Sequence, residues 1–130
     1  RYSSVTGVQT CALPISAPAV DAHHILDRKL FADGGYRLSN GAPVCERHHW
    51  DCETTRRSVP EVWAACGISQ GSLPEGFDPR LTYDKWGNRI RPDGTRAWGH
   101  LQDDSGARKA LAMGGVLGLF RPDEDDEVIA

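Results

Sequence analysis

The sequence predicts an α+β fold in which a small strand-loop-strand-helix core precedes a loop-rich extension of helices and hairpins. Two short β-compatible segments come before a stretch without Gly or Pro at residues 46–57, which is typical of a helix. The 14 glycines and 8 prolines among 130 residues indicate many turns and one small core. Because small cores are only marginally stable, a bound metal ion is a common additional source of stability.

Residues 1–16 are expected to lie outside this fold. Val5 to Ile15 read VTGVQTCALPI, which resembles the in-frame translation of a sequencing-library adapter. On this interpretation the original N-terminus is lost and Cys11 has no function. A signal peptide is the alternative interpretation, but these residues show no basic segment followed by a continuous apolar run.

The predicted core comprises residues 17–57. Residues 17–26 are mostly apolar and β-compatible and contain a histidine pair near their end. Residues 42–45 form a second short strand after the Asn40-Gly41 pair, which is typical of a tight turn. The loop between the strands contains a Gly-Gly turn, and the predicted helix follows the second strand directly.

Four of the five histidines form two adjacent pairs, one on the first strand and one in the helix. Neighbouring side chains on a strand point to opposite faces, so one of His23 and His24 can face a metal ion and the other a water molecule. In the helix, His49 and Glu53 share a face because they are one turn apart. A single surface histidine is ordinarily a solvated or capping side chain. Two pairs together indicate a divalent-metal site beside a general base.

Residues 20–54 resemble the ββα-metal core of HNH endonucleases, in particular the small phage-associated and bacterial members. The histidine pair on the first strand stands where this family has its opening Asp-His or His-His pair. Asn40, Cys45 and His49 have the separations of the family's N-x4-C-x3-H pattern. The order strand, loop, strand, helix is also the order that this core requires.

The resemblance implies a role for each of these side chains. Two histidines bind a divalent metal ion, which is Mg²⁺, Mn²⁺, Ni²⁺ or Zn²⁺. The second histidine of the opening pair is the general base, the asparagine orients that base, and the acidic residue of the helix is a further ligand or contacts one. Carried over to this chain, the metal ligands are His23 and His49, and the general base is His24. Asn40 is the orienting residue, and Glu53 is the acidic residue of the helix.

Many HNH proteins also contain a structural zinc knuckle, whose first Cys-x-x-Cys half precedes the first strand and whose second half begins the helix. In this chain the second half corresponds to Cys45 and His48, and the first half falls in the adapter-like region. The resemblance thus implies half of a structural Zn²⁺ site and a protein less stable than its intact parent.

Residues 58–120 predict further helices and a hairpin, to which the sequence assigns no chemistry. Ser58 and Glu61 have capping-box spacing, and Gly67 ends the helix that they begin. Cys66 belongs to the apolar stripe of that helix and is expected in the core. Further expected elements are a strand with a Gly-Asn turn at 83–90, a turn at 91–95, a helix at 104–113 and a disordered acidic tail at 121–130.

The net charge of −3 is unevenly distributed. Five acidic residues and one arginine give the tail a charge of −4, which leaves +1 for residues 1–120. Charge alone therefore does not indicate a strongly basic nucleic-acid binder. No apolar run approaches the ~20 residues needed to span a bilayer. Cysteines among histidines favour reduced thiols or metal ligands in a cytoplasmic protein.

The leading hypothesis is a metal-dependent endonuclease that hydrolyses phosphodiester bonds in double-stranded DNA. The alternative is a non-catalytic zinc module that binds nucleic acid or protein. A degenerate HNH fold used only for interaction is a third hypothesis, and the oligomeric state stays open. The opening histidine pair favours the enzyme, because a purely structural site needs no base beside the metal. The ligands of the zinc module would be Cys45, His48 and Cys52, with His49 or Cys66.

Overall fold

The computed structural model describes residue 11 and residues 21–122, and these form a mixed α+β structure, as the sequence predicts. Within this part of the chain there are three α-helices and two small antiparallel sheets. The start of the first predicted strand and most of the acidic tail lie outside the described residues. The strands are β1 (Asp21–His24), β2 (Gly41–Val44), β3 (Thr82–Tyr83), β4 (Arg89–Ile90) and β5 (Arg96–Ala97), and the helices are α1 (Glu46–Glu53), α2 (Val59–Cys66) and α3 (Ser105–Met113).

β1 and β2 form an antiparallel pair that brings the first histidine pair close to α1. His23 lies opposite Ala42, and His24 lies opposite Gly41. Because successive side chains alternate across a strand, His23 is buried toward α1 and His24 is half-buried on the other face. β2 leads directly into α1, since Cys45 has an extended backbone and is the N-cap of the helix.

A hydrophobic cluster joins this sheet to α1 and α2. Its members come from the segment after β1, from β2 and from both helices, so the helix that follows the predicted core packs in the same cluster. Full burial of a large aliphatic side chain stabilises a fold by about 1.5–3 kcal/mol. The most buried members include Ile25, Leu26, Val44, Cys52 and Val62.

α1 ends at Glu53, and the prediction that it continues to residue 57 is wrong. Thr54 is the C-cap, and Thr55 adopts a left-handed φ of 62°, which ends the helix. The Arg96 guanidinium stabilises this conformation, because it donates to the Thr55 hydroxyl at 2.7 Å and to the Thr55 carbonyl at 3.4 Å. Arg96 is 41 residues away in the chain, so no local pattern signals this helix end.

The Asn40-Gly41 pair does not form the predicted tight turn. Asn40 ends a short 3-10 helix, Leu38–Asn40, and Gly41 is the first residue of β2, with an extended φ of −122°. The Asn40 side chain is buried and bonds to distant backbone groups. Tertiary contacts of the asparagine therefore replace the turn geometry that the dipeptide favours in isolation.

α2 and α3 begin as predicted. The Ser58 hydroxyl accepts from the Glu61 N–H, and the Glu61 carboxylate accepts from the Ser58 N–H, which completes the capping box of α2. Gly67 ends α2 with a left-handed φ of 69°, as its position predicts. Asp104 caps α3 by accepting from the Ala107 N–H at 2.9 Å. None of the described helices is long and apolar enough to cross a membrane.

β3, β4 and β5 form the second sheet, whose connections contain Gly87 and Gly94 with positive φ. The first connection includes the predicted Gly-Asn turn, and the second is the turn predicted at 91–95. A second hydrophobic cluster forms where this sheet meets α3, and Trp86 is its largest buried member. Trp98 stacks on Phe120 at its edge, with ring centroids 3.9 Å apart.

Candidate functional site

His23, His49 and Glu53 come together where β1 meets α1. One potential ligand atom from each residue lies within 4.8 Å of the others, which is close enough for one metal ion to contact all three. The two imidazole rings meet edge to face with centroids 5.5 Å apart, and Glu53 Oε1 lies 3.3 Å from His49 Nε2. The structure therefore brings together the three residues that the sequence predicts as ligands of the divalent metal.

His23 has the surroundings of a neutral imidazole. Its side chain is 3% exposed, and its Nδ1 has no hydrogen-bond partner among the described residues. Burial lowers the pKa of His23 well below its ordinary value, and the nearby charge of Lys85 lowers that pKa further. A buried polar atom without a partner costs free energy, and a neutral ring nitrogen can donate its lone pair to a cation. The residues present thus fit a divalent metal ion.

His24 follows His23 in β1, and both histidines line an open cavity of about 310 Å³. Tyr36, Arg37 and Asn40 line the same cavity, and the Tyr36 ring meets the His24 ring edge to face with centroids 5.0 Å apart. Burial lowers the pKa of His24, and the Lys85 charge lowers it further. The neutral ring therefore predominates near pH 7, and only this form can accept a proton.

Asn40 is buried and fixes the backbone that follows β1. Its Oδ1 accepts from the Leu26 N–H at 2.9 Å, and its Nδ2 donates to the carbonyl oxygens of Leu26 at 3.0 Å and Gly35 at 3.2 Å. These bonds go to backbone groups. An orienting effect of Asn40 on His24 would therefore be transmitted through the short backbone segment between His24 and Leu26.

Lys85 also lies in this site, although the sequence assigns no chemistry to residues 58–120. Its Nζ donates to the His24 carbonyl oxygen at 2.9 Å, and it lies 3.7 Å from Glu53 Oε1 and 3.8 Å from Asp27 Oδ1. The side chain is 5% exposed. Burial lowers the pKa of Lys85, whereas the two carboxylates oppose that decrease. No local signal identifies this lysine, because it is 61 residues from His24 in sequence.

A second group of potential ligands comprises Cys11, Cys45 and His48, all of them buried. His48 Nδ1 lies 3.1 Å from the Cys11 Sγ and 3.3 Å from the Cys45 Sγ. The sequence predicts Cys45 and His48 as half of a zinc site and gives Cys11 no function. In the structure Cys11 occupies the place of a third ligand. Structural zinc prefers thiol and imidazole donors. Cys11 therefore offers a suitable donor even though the residues around it in the sequence resemble an adapter.

Cys52 and Cys66 do not belong to either group of potential ligands among the described residues. Burial raises the pKa of the Cys52 thiol to about 12, which makes the metal-binding thiolate form unfavourable. Cys66 is 3% exposed and packs in the first hydrophobic cluster, as its position in the apolar stripe of α2 predicts. Both cysteines are therefore core residues.

Comparisons of the chain with protein-family models, with curated proteins and with solved structures found no match. The likeness to HNH endonucleases therefore depends on the residues and the geometry described above. These are the strand-strand-helix order, two histidines and a carboxylate within ligand distance of one another, and a further histidine at an open cavity.

Proposed function

We propose that this chain is a metal-dependent endonuclease of the HNH type, which hydrolyses phosphodiester bonds in DNA. One observation supports the proposal most strongly. His23, which belongs to the ligand group with His49 and Glu53, and the neighbouring His24 both line the same open cavity. Hydrolysis of a phosphodiester needs charge neutralisation at the phosphate, assistance to the leaving oxygen and an activated water. This arrangement offers residues for all three.

His23, His49 and Glu53 would hold a divalent cation, which when bound supplies Lewis-acid activation of the scissile phosphate. Two imidazoles and one carboxylate suit Mn²⁺, Ni²⁺ or Zn²⁺ better than Mg²⁺, which prefers oxygen ligands. Glu53 contributes a negative charge, and the neutral His23 contributes a lone pair without a competing proton.

His24 would act as the general base. In its neutral form the ring accepts a proton from a water molecule in the cavity and later releases it to solvent, to which the cavity is open. Pairing with β2 and the bond from Lys85 to its carbonyl oxygen restrain the backbone of His24. The point from which the ring extends is thus held by the sheet, which limits the positions that the ring can take beside the ligand group.

Double-stranded DNA is the proposed substrate, and local contacts rather than overall charge would bind it. Arg37 and Tyr36 line the cavity beside His24 and are exposed, and a phosphate would replace or share Asp33 as the ion-pair partner of Arg37. A guanidinium can pair with a backbone phosphate, and such contacts position a duplex without reading its sequence. The proposed contact is therefore with the phosphate backbone.

A non-catalytic zinc module is the second candidate function. The buried Cys11, Cys45 and His48 favour it, because thiol-rich closed sites are typical of structural zinc. The two candidates are compatible in one molecule. The cysteine-containing group, which we call the zinc group, shares no residue with the group of His23, His49 and Glu53, which we call the His23 group. The two candidates differ in whether the His23 group and His24 perform chemistry.

Cleavage of supercoiled plasmid by the full chain tests the proposal. Reactions would contain Mn²⁺, Mg²⁺ or Ni²⁺, with EDTA as the metal-free comparison. We expect His24→Ala to lower the cleavage rate by about a hundredfold or more while Mn²⁺ binding persists, because it removes the base and leaves the ligands. His49→Ala should abolish both cleavage and metal binding. His100→Ala is the matched control, since His100 is exposed and outside both ligand groups.

Two results would contradict the proposal. A folded wild-type protein that holds one tight zinc ion and cuts no DNA with any metal would favour the zinc module. Cleavage that persists in both His24→Ala and His49→Ala would show that the activity comes from a contaminating nuclease or from another site on the chain.

A further inference from the structure

Lys85 is a buried cation within ion-pair distance of a proposed metal ligand. Its Nζ lies 3.7 Å from Glu53 Oε1, which is the same oxygen that lies 3.3 Å from His49 Nε2. The carboxylate of Asp27 is its second acidic neighbour, at 3.8 Å. A single carboxylate oxygen therefore faces both an imidazole of the ligand group and an ammonium ion.

The fold holds Lys85 in this position through contacts at both ends of the residue. Its carbonyl oxygen accepts from the Asp27 N–H at 3.0 Å, and its Nζ donates to the His24 carbonyl oxygen at 2.9 Å. The next residue, Trp86, donates its indole N–H to the Glu53 carbonyl oxygen at 3.0 Å. Moving the ammonium away from Glu53 would break its hydrogen bond to the His24 carbonyl oxygen, while the other two bonds hold the backbone that carries Lys85.

The residue before Lys85 fixes the same turn. Asp84 is fully buried and accepts from the backbone N–H groups of Trp86 and Asn88, each at 2.9 Å. It also pairs with the buried Arg96 at 3.0 Å. A buried ion pair therefore anchors the turn between β3 and β4, which presents Lys85 to β1 and α1.

We propose that Lys85 sets the metal affinity of the site by competing with the bound cation for the Glu53 carboxylate. The inference rests on the part of the proposed function in which His23, His49 and Glu53 bind a metal ion. Without metal, the ammonium is the counter-ion of Glu53 and Asp27. When a cation binds, Glu53 interacts with two positive charges, and their mutual repulsion weakens binding.

The charges at the site determine whether a substitution of Lys85 strengthens or weakens metal binding. Asp27 and Glu53 with Lys85 sum to −1, and the same carboxylates with a neutral residue at position 85 sum to −2. Solvent and salt screen such charges little in a partly buried site. Loss of the ammonium should therefore tighten binding of a divalent cation, whereas general damage to the fold would weaken it.

Mn²⁺ titration of the full chain, followed by the electron paramagnetic resonance signal of the free ion, tests this inference. Mn²⁺ is a suitable probe because it prefers oxygen and imidazole donors and avoids the thiols of Cys11 and Cys45. Lys85→Gln removes the charge but keeps a donor for the His24 carbonyl, and Lys85→Arg keeps the charge. Lys29→Gln is the matched control, since Lys29 is ion-paired with Asp104 outside the ligand group.

We expect Lys85→Gln to bind Mn²⁺ about tenfold or more tightly than wild type, and Lys85→Arg and Lys29→Gln to stay within about threefold of it. Adding Glu53→Gln to Lys85→Gln should remove the gain. Lys85→Met offers a second neutral side chain if the glutamine variant unfolds. Unchanged or weaker binding in a folded neutral variant would overturn the inference, as would a gain that persists without Glu53.

The titration needs no DNA, so its outcome is separable from that of the proposed function. A wild type that binds Mn²⁺ but cuts nothing would refute the nuclease and leave the effect of Lys85 measurable. A wild type that binds no Mn²⁺ at the His23 group would overturn the inference about Lys85 directly.

Discussion

Arg96→Met removes the guanidinium that ties the second sheet to the end of α1. Arg96 Nη1 lies 3.0 Å from Asp84 Oδ2 and 2.7 Å from the Thr55 hydroxyl, and Nη2 lies 3.4 Å from the Thr55 carbonyl oxygen. The side chains of Arg96 and Asp84 are 8% and 0% exposed, so water does not replace the lost partner. Methionine keeps much of the apolar stem, and the substitution therefore isolates the charge and its hydrogen bonds.

The loss of stability expected for Arg96→Met depends on the hydrogen bonds that Asp84 keeps. Removing one partner of a buried ion pair ordinarily costs about 3–5 kcal/mol, because the other charge stays buried and unpaired. Asp84 still accepts from the Trp86 N–H, the Asn88 N–H and the Asn88 side chain, at 2.9, 2.9 and 3.1 Å. We therefore expect the lower end of that range, a decrease of about 3 kcal/mol in the free energy of unfolding, measured by urea denaturation.

A matched control and a double variant separate charge from packing. Arg80→Met breaks the pair of Arg80 with Asp78 at 2.9 Å, but Arg80 is 87% exposed, so this variant should unfold almost as wild type does. Asp84→Asn combined with Arg96→Met removes the uncompensated charge but also the bond that Oδ2 accepts from the Asn88 side chain, so the difference between the double and the single variant compares these two effects. A decrease smaller than about 1 kcal/mol for Arg96→Met would contradict the assignment of a stabilising buried ion pair.

Three further predictions concern stability. Gly114→Ala should lower the free energy of unfolding, measured in urea, by about 1–3 kcal/mol, because the added Cβ would lie 2.2 Å from the Thr54 carbonyl oxygen. Gly118→Ala should change this free energy little, because the space around Gly118 is open. A zinc chelator should lower the melting temperature of wild type but not of Cys45→Ser, and equal melting curves with and without chelator would exclude a structural zinc. The Lys29 ammonium and a backbone N–H of α3 hold the pKa of Asp104 below its ordinary value. The stability that Asp104 contributes is thus fully present above its pKa in the unfolded chain, about 3.9, and is lost as the pH falls through its lower pKa in the folded protein. Asp104→Asn should therefore weaken the dependence of stability on pH in this acidic range.

Local sequence signals predict the elements whose stabilising contacts are local. The capping box of Ser58 and Glu61 and the left-handed Gly67 bound α2 because each acts within one helical turn. The end of α1 could not be predicted in the same way. Thr55 is held in its left-handed conformation by Arg96, and tertiary contacts between distant segments leave no local pattern.

In the candidate site as well, some residues could be predicted from the sequence and others only from tertiary contacts. The resemblance to HNH endonucleases predicts His23, His49 and Glu53 together, and the structure brings them within ligand distance. Lys85 has no such signal, because its Asp-Lys-Trp-Gly-Asn segment resembles an ordinary hairpin turn and only the folded chain puts its ammonium beside Glu53. The adapter-like surroundings of Cys11 predict no function for it, but they carry no information about where its thiol lies in the folded chain.

The proposed role of His24 as a general base beside a metal ion can be tested in one experiment. The most direct test measures the single-turnover rate of plasmid cleavage and Mn²⁺ binding in the same samples of wild type and His24→Ala. We expect the variant to bind Mn²⁺ as wild type does and to lose about a hundredfold or more in rate. Equal rates for the two proteins, or a folded wild type that binds Mn²⁺ and leaves the plasmid intact, would contradict it.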